Sequence, residues 1–433
     1  MQDALTLAQD LIDFIHASPS PFHVVRSSVG ILQTAGFVEL DQSARWDLER
    51  GGRYFVTVNG SALIAFTVGT GKVETDGFRL IQTHTDSPSI RIKPNPEMTG
   101  AGGIVKLNAE VYGSPILPTW LDRPLSLAGR VSLAGTSPLA PQQVLVEFAD
   151  PQVYIPNLSI HHNKSVNSGV ELNPQKDMIP ILGQTDGSHP LKLVDLLARQ
   201  IGCKPEEILD YELYTSEFER GCVFGPDREF ISSKKLDNLG LLYASVCALA
   251  HASKTKGTQI ICCLDSEEVG NRTRQGGDSP MLSSVLERIV LALGGDREDY
   301  FRTLQRSFML SADMSHAVHP NVPERSDPVV QAKLNGGVVI KSSGAQKFTT
   351  NSESSAVFQQ ICKEAKVPWQ YYVNRADSPG GSAAGADSIT HADMRGVDIG
   401  LALWAMHSIR ETGGTRDNTY VHAAFTQFFH TEN

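Results

Sequence analysis

Ile81-Gln82-Thr83-His84-Thr85-Asp86-Ser87-Pro88 reads as a strand that stops on a pair of potential ligands. Phe78 to Gln82 is rich in apolar residues, Ile81 and Thr83 are β-branched, and Pro88 cannot donate to a continuing ladder. His84 is therefore expected at a strand end. Two residues on, Asp86 points the same way as His84 if the extended geometry persists, so its carboxylate could orient the imidazole. A lone His-x-Asp is more often a hydrogen-bonded surface pair. It gains meaning from what lies farther along, at Asp237, Glu267-Glu268, Asp313 and His407.

On either side of this stretch the chain changes texture twice. Leu5, Ala8, Leu11, Ile12 and Ile15 recur at helical spacing over residues 3–16, and Ser18-Pro19-Ser20-Pro21 ends that helix. Phe22 to Ala35 is a second helix closed by Gly36, and Tyr54 to Val58 with Ala62 to Val68 forms a hairpin around Asn59-Gly60. From about 93 to 225 short β-like runs, Val105 to Tyr112, Leu127 to Ala134 and Gln143 to Phe148, sit between Pro and Gly clusters, with an amphipathic helix over Leu191 to Ile201. From Leu236 onward helices and strands alternate: helix 238–252, strand Gln259 to Leu264, helix 281–293, strand Phe308 to Ala312, helix Ser354 to Ala365, extended Pro368 to Val373 and a strand near Gly396 to Ala402. Such alternation predicts an α/β fold: a mixed, largely parallel sheet flanked by helices. Residues 1–92 and 226–433 are expected to form one discontinuous domain, with a β-rich domain inserted at 93–225.

Bulk properties restrict the function. The 433 residues suggest two or three domains, and 41% hydrophobic with 20% charged residues is the balance of a globular protein. A net charge of −10 disfavours binding to nucleic acid or to an anionic membrane surface. The six cysteines show neither Cys-x-x-Cys spacing nor the density of a disulfide scaffold, which points to a reducing compartment. The N-terminal stretch lacks signal-peptide character, and Leu239 to Ala250 is too short for a bilayer that needs roughly 20 residues. A cytoplasmic location without membrane attachment is expected.

Acids recur at element ends. Asp237 opens a helix, where a carboxylate is first of all an N-cap. The apolar run Gln259 to Leu264 leads into Asp265-Ser266-Glu267-Glu268-Val269-Gly270, so paired glutamates stand at the carboxyl end of a buried strand, the place where open α/β sheets bind ligands. One glutamate of such a pair can hold a metal while the other addresses its water. Phe308 to Ala312 ends on Asp313, and His407 follows the apolar run Leu401 to Met406. His84, Asp237, Glu268, Asp313 and His407 suit borderline metals such as zinc. Five ligands exceed the need of one catalytic ion with an open position, and a carboxylate shared between two ions explains the surplus. Hydrolysis of an amide is the chemistry implied.

With these motifs the chain resembles the aspartyl aminopeptidases, di-zinc metallopeptidases that remove acidic residues from peptide amino termini. The resemblance spans nearly the whole length and is carried by Thr83 to Pro88, Leu236-Asp237-Asn238, Asp265 to Gly270, Ser311 to Asn321 and Ala405 to Glu411. It implies two Zn²⁺ per subunit, with Co²⁺ or Mn²⁺ as substitutes. His84 and Asp313 would hold one, Glu268 and His407 the other, and Asp237 would bridge. Asp86 would orient His84, and Glu267 would be the general base. Gly337-Val338-Val339-Ile340-Lys341 resembles the segment that supplies a lysine for the substrate's acidic side chain, which makes Lys341 the candidate; on the residues alone, an exposed lysine at a strand end is nearly as good a reading. His316 would line the same pocket.

Asn157 to Asn163 resembles a segment whose first histidine enters a neighbouring subunit's active site, so His161 is expected to act across an interface. Family members assemble as tetrahedral dodecamers built from dimers, and the insert would mediate dimerisation. The Gly-rich run Asp377 to Asp387, including Gly381, would present backbone amides to substrate. Where Gly380, Ala383 and Ala384 stand, the family usually has bulkier, more hydroxylated residues, which leaves strict acidic specificity open. The segment 412–418 is more polar than the resemblance implies, although Tyr420 to Phe429 suits a closing helix. Two other readings remain: the same machinery acting on neutral amino termini, and an N-acyl amidohydrolase with a similar metal site. A zinc-held binding protein on a retired hydrolase fold is disfavoured by Glu267, which a purely structural site would not need.

Overall fold

The computed structural model describes residues 2–186, 190–378, 380–381 and 383–432. Pro379 and Ser382 of the Gly-rich run lie outside the described residues. The main sheet has nine strands. Its centre is parallel, with Thr258–Leu264, Phe78–His84, Phe308–Ala312 and Arg395–Gly400 side by side in that order. Antiparallel partners flank it: the hairpin Arg53–Val58 and Ala62–Thr67 on one side, Val338–Lys341 on the other. Asn59 and Gly60 take φ of 55° and 66°, the left-handed conformation expected of Asn-Gly, in a three-residue loop between the paired Val58 and Ala62.

Parallel strands put their carboxyl ends at one edge. Leu264 lies in register with His84, and Ser311 with Gln82, so His84, the Glu267-Glu268 turn and Asp313 emerge together. The central strands read as continuous apolar runs because both faces are covered. Ile81, Ile261 and Leu310 face a core closed by the helices Gln2–His16, Pro21–Thr34, Leu236–His251 and Thr415–His430. Leu80, Cys262 and Met309 face the opposite core, beneath Met281–Ala292 and Arg297–Gln305. The last of these helices is absent from the sequence reading, although Asp296 and Asp299 form a reciprocal cap at its start.

A seven-stranded second sheet gathers Ser89–Thr99, Ile104–Tyr112, Pro124–Ser137, Ala140–Glu147, Val153–Tyr154, Ile181–Gln184 and Ile208–Glu217. It closes on itself, since Ile208–Glu217 pairs with both Ser89–Thr99 and Pro124–Ser137. Leu107, Leu125, Val131 and Leu213 fill its interior, and Leu193 and Leu197 of the helix Leu193–Ile201 pack there too. The strand Ser89–Thr99 spans residue 93, so the chain passes into this sheet directly after Pro88. A small third sheet joins Cys222–Phe224, Phe230–Ser233, Glu411–Gly414, Ala402–Trp404 and Ser315–His316. Among the described residues, no helix is long and apolar enough to cross a membrane.

Candidate metal centre

The five expected ligands meet at the carboxyl edge of the main sheet. His84 Nε2 lies 3.5 Å from Asp237 Oδ1 and 3.5 Å from Asp313 Oδ1. His407 Nε2 lies 3.6 Å from Asp237 Oδ2 and 3.4 Å from Glu268 Oε2. Asp237 thus turns one oxygen to each histidine. The ligand atoms of His84, Asp237 and Asp313 lie within 4.8 Å of one another, as do those of Asp237, Glu268 and His407.

Asp237 reaches this position by leaving the helix it was expected to cap. Its φ and ψ are −80° and 112°, its peptide bond to Asn238 is cis, and its carboxylate faces His84 and His407. Ser87 Oγ donates to its carbonyl at 3.0 Å, and Asn238 Nδ2 donates to the Ala312 carbonyl at 2.8 Å. The helix start is therefore tied to the neighbouring strand end.

Asp86 departs in detail from the expected role. The nearer acceptor for His84 Nδ1 is the Asp86 backbone carbonyl at 3.0 Å, with carboxylate Oδ1 at 3.4 Å. The same carboxylate accepts the backbone N–H of Glu267 and of Glu268, each at 3.2 Å, and the Tyr112 hydroxyl at 2.8 Å. Asp86 therefore holds the glutamate turn as well as the imidazole. With Nδ1 bonded in this way, His84 turns its Nε2 to the cluster. His407 does the same, because its Nδ1 donates to the Ser114 carbonyl at 3.0 Å.

Burial governs the electrostatics. It pushes Glu267 up to about 8, reinforced by Asp313, Asp86 and Asp237 and partly offset by His84. Glu268 rises for the same first reason and through Asp237. For His407, burial opposes the charge, but Asp237 and Glu268 outweigh it and raise the group to about 10. Burial opposes ionisation of Asp237 too, yet His407 and His84 win and hold that carboxyl low. Asp86, Asp237, Glu267, Glu268, Asp313 and Glu411 gather around the two histidines, and the Lys341 ammonium pairs with Asp313. Asp237 Oδ1 and Glu268 Oε1 are buried without hydrogen-bond partners. Such a set of imidazole and carboxylate donors, over-rich in negative charge and with orphaned oxygens, fits divalent zinc.

A cavity of about 290 Å³ opens on these ligands. Lys341, His316 and Gly381 line it, as do Phe348, Tyr372 and Asn374, which the sequence reading did not single out. Lys341 is buried, not an exposed strand-end lysine; its Nζ donates to Asp313 Oδ2 at 3.1 Å and lies 5.5 Å from the Phe348 ring centroid. Burial and Lys341 hold His316 below its ordinary value. His161 stands elsewhere, exposed in the turn that joins Ser159 to His162, and does not line this cavity. Three outer contacts had no signal in the sequence. Glu411 accepts the backbone N–H of His407 and of Asp237, and Ile116 N–H donates to the His407 carbonyl at 2.9 Å. Gly113, at φ +71°, passes so close that a Cβ there would lie 3.2 Å from Glu268 Cβ and 3.3 Å from Pro88 Cα.

The chain is similar to known proteins along nearly its whole length. The family model described as aminopeptidase I zinc metalloprotease (M18) matches residues 14–429. A probable M18 family aminopeptidase 2 of Clostridium acetobutylicum is 49% identical over 431 residues, covering 99% of this chain and 100% of the relative. The cryo-EM structure of the Ape4 and Nbr1 complex superposes with a TM-score of 0.94 at 34% identity, over 99% of this chain and 86% of that one. The S. cerevisiae mApe1 dodecamer gives 0.83 at 25% identity, over 98% and 96%. The chain belongs to the M18 family of zinc metallopeptidases, aminopeptidases that hydrolyse peptide bonds.

Proposed function

We propose that this M18 aminopeptidase works with two zinc ions and preferentially releases Asp and Glu from peptide amino termini. The carrying observation is Asp237, whose two oxygens lie 3.5 Å from His84 Nε2 and 3.6 Å from His407 Nε2. His84 and Asp313 would hold one ion, Glu268 and His407 the other, and Asp237 both; Co²⁺ or Mn²⁺ would substitute. When bound, the metals supply Lewis acidity toward the scissile carbonyl and a water reactive near neutral pH. Glu267, whose backbone N–H is held by Asp86 next to Glu268, takes the proton from the attacking water and returns it to the leaving amine. His316 donates to the carbonyl oxygen as negative charge builds there.

Lys341 supplies the cation for an acidic side chain, and Gly381 a backbone amide for the substrate. The pairing of Lys341 with Asp313 Oδ2 at 3.1 Å favours a second reading, because an already neutralised lysine suits neutral amino termini. Rates on peptides beginning with Glu, Asp, Leu and Lys separate the two. Acidic preference predicts that Lys341→Ala lowers kcat/KM for Glu and Asp by at least about tenfold while Leu is nearly unchanged. Equal loss on all four substrates sinks it.

Residues 93–225 are assigned to dimerisation and the remainder to catalysis. Because the S. cerevisiae relative is a dodecamer, we infer the same assembly from dimers, with tetrahedral symmetry and with His161 reaching a neighbouring subunit's cavity. Mixed oligomers of His161→Ala and Glu267→Gln test this: recovered activity supports the exchange of His161, and its absence in verified mixed particles refutes it. All six cysteines are unpaired, which supports the cytoplasm as the location.

A further inference from the structure

The pairing of His407 with the rest of the cluster poses a problem of positioning. Its backbone lies in the left-handed region at φ 68°, as does Ala405 at 56°, in the loop between Ala402–Trp404 and Glu411–Gly414. No strand ladder fixes such a residue, yet zinc tolerates ligand displacements of only about 0.2 Å. Glu411 is buried at the start of the strand that pairs with Phe230–Ser233. Its Oε1 accepts the His407 N–H at 2.7 Å and its Oε2 accepts the Asp237 N–H at 2.9 Å. One carboxylate therefore spans the backbones of two residues whose side chains face each other across 3.6 Å.

We propose that Glu411 is a positioning residue that sets the Asp237–His407 separation and so creates the half of the metal centre formed by Glu268 and His407. The inference rests on the two-metal reading above. Glu411 touches neither substrate nor metal; it acts through two backbone amides. The half formed by His84 and Asp313 depends on it less, because His84 and Asp313 stand at the ends of neighbouring parallel strands, and Asp237 also keeps its carbonyl bond to Ser87. A glutamine at 411 accepts one N–H and confronts the other with its own amide.

The test is zinc content per chain against buffered free zinc, read by elemental mass spectrometry on the full-length wild type and on Glu411→Gln. The wild type is expected to fill two sites; a wild type that saturates at one zinc removes the two-metal reading itself. In Glu411→Gln the first equivalent should bind as in the wild type, and the second should need roughly ten- to a hundredfold more free zinc. Activity recovered only at high zinc should follow that second equivalent. Equal weakening of both equivalents, or of neither, overturns the proposal. Circular dichroism and a thermal melt establish folding, and a variant unfolded at every zinc concentration makes Glu411 a determinant of the fold and overturns it too.

Discussion

His84 and His407 aim the same nitrogen at Asp237 from opposite kinds of backbone. His84 ends a central strand, in register with Leu264, and its side chain is 2% exposed. His407 sits at positive φ in a loop, its side chain is 26% exposed, and single contacts hold it: nearby Glu411 and, from the other segment, the Ser114 carbonyl and the Ile116 amide. A ligand on a ladder is placed by the sheet that also makes the core. A ligand on a loop must be placed by contacts that serve little else, and the two halves should therefore fail differently.

The largest expected effect falls on a residue belonging to neither half. Glu267→Gln should lower kcat by roughly 10² to 10⁴-fold while both zinc equivalents remain, measured by turnover beside zinc content. A variant that loses metal instead places Glu267 among the ligands. Next comes Asp86→Asn, directed at the strand-borne half. Loss of the carboxylate charge 3.4 Å from His84 Nδ1 should weaken zinc at His84 by about ten- to a hundredfold, seen in the same titration, and the other equivalent by less, through the Glu268 N–H that the same carboxylate accepts. If the His407 half weakens more, the contrast between ladder and loop breaks.

A third expectation concerns pH in the metal-free protein. Burial raises the Glu267 carboxyl from 4.5 to about 8, so the fold keeps a proton that the unfolded chain has already released. Between those values the folded state binds more protons, and its stability falls as pH rises. Glu267→Gln removes this dependence. The Tm difference, variant minus wild type, should grow from about pH 4.5 to about pH 8 and level off above. A flat difference would mean that Glu267 ionises freely in the metal-free site. The smallest effect belongs to Tyr112→Phe, which removes one hydrogen bond to Asp86 Oδ2 while the Glu268 N–H remains. It should cost about 1 to 2 kcal/mol in thermal or denaturant unfolding, and kcat should fall only slightly.

What the sequence made legible follows the same division. Central strands are apolar on both faces and end abruptly, so His84, Glu267-Glu268 and Asp313 could be placed at a common edge from local pattern alone. Asp237 could not: a carboxylate at a helix start has a local use as a cap, and only contacts with Ser87 and Glu411 across the fold show that it serves elsewhere. Lys341 looked equally good on the surface, since nothing in Val338–Lys341 announces that Phe348 and Asp313 cover its ammonium. Tyr112 and Ser114 lie in a stretch whose pattern says only strand and turn, and their partners are residues 86 and 407. The helix Arg297–Gln305 was readable from its cap but too short and polar to stand out. Periodicity reports what an element buries, not which distant backbone it steadies.

Gly113 carries a consequence for how this architecture can be rebuilt. The strand Ile104–Tyr112 leaves its sheet through a residue at φ +71°, pressed against Glu268 and Pro88, and the Ser114 carbonyl follows at once. Any replacement module grafted between the two catalytic segments must reproduce this junction, a side-chain-free left-handed step followed by a carbonyl acceptor for His407 Nδ1, whatever its remaining sequence. Loops remote from that seam, such as the exposed tip at Leu139, are where shuffled or lengthened inserts should be tolerated.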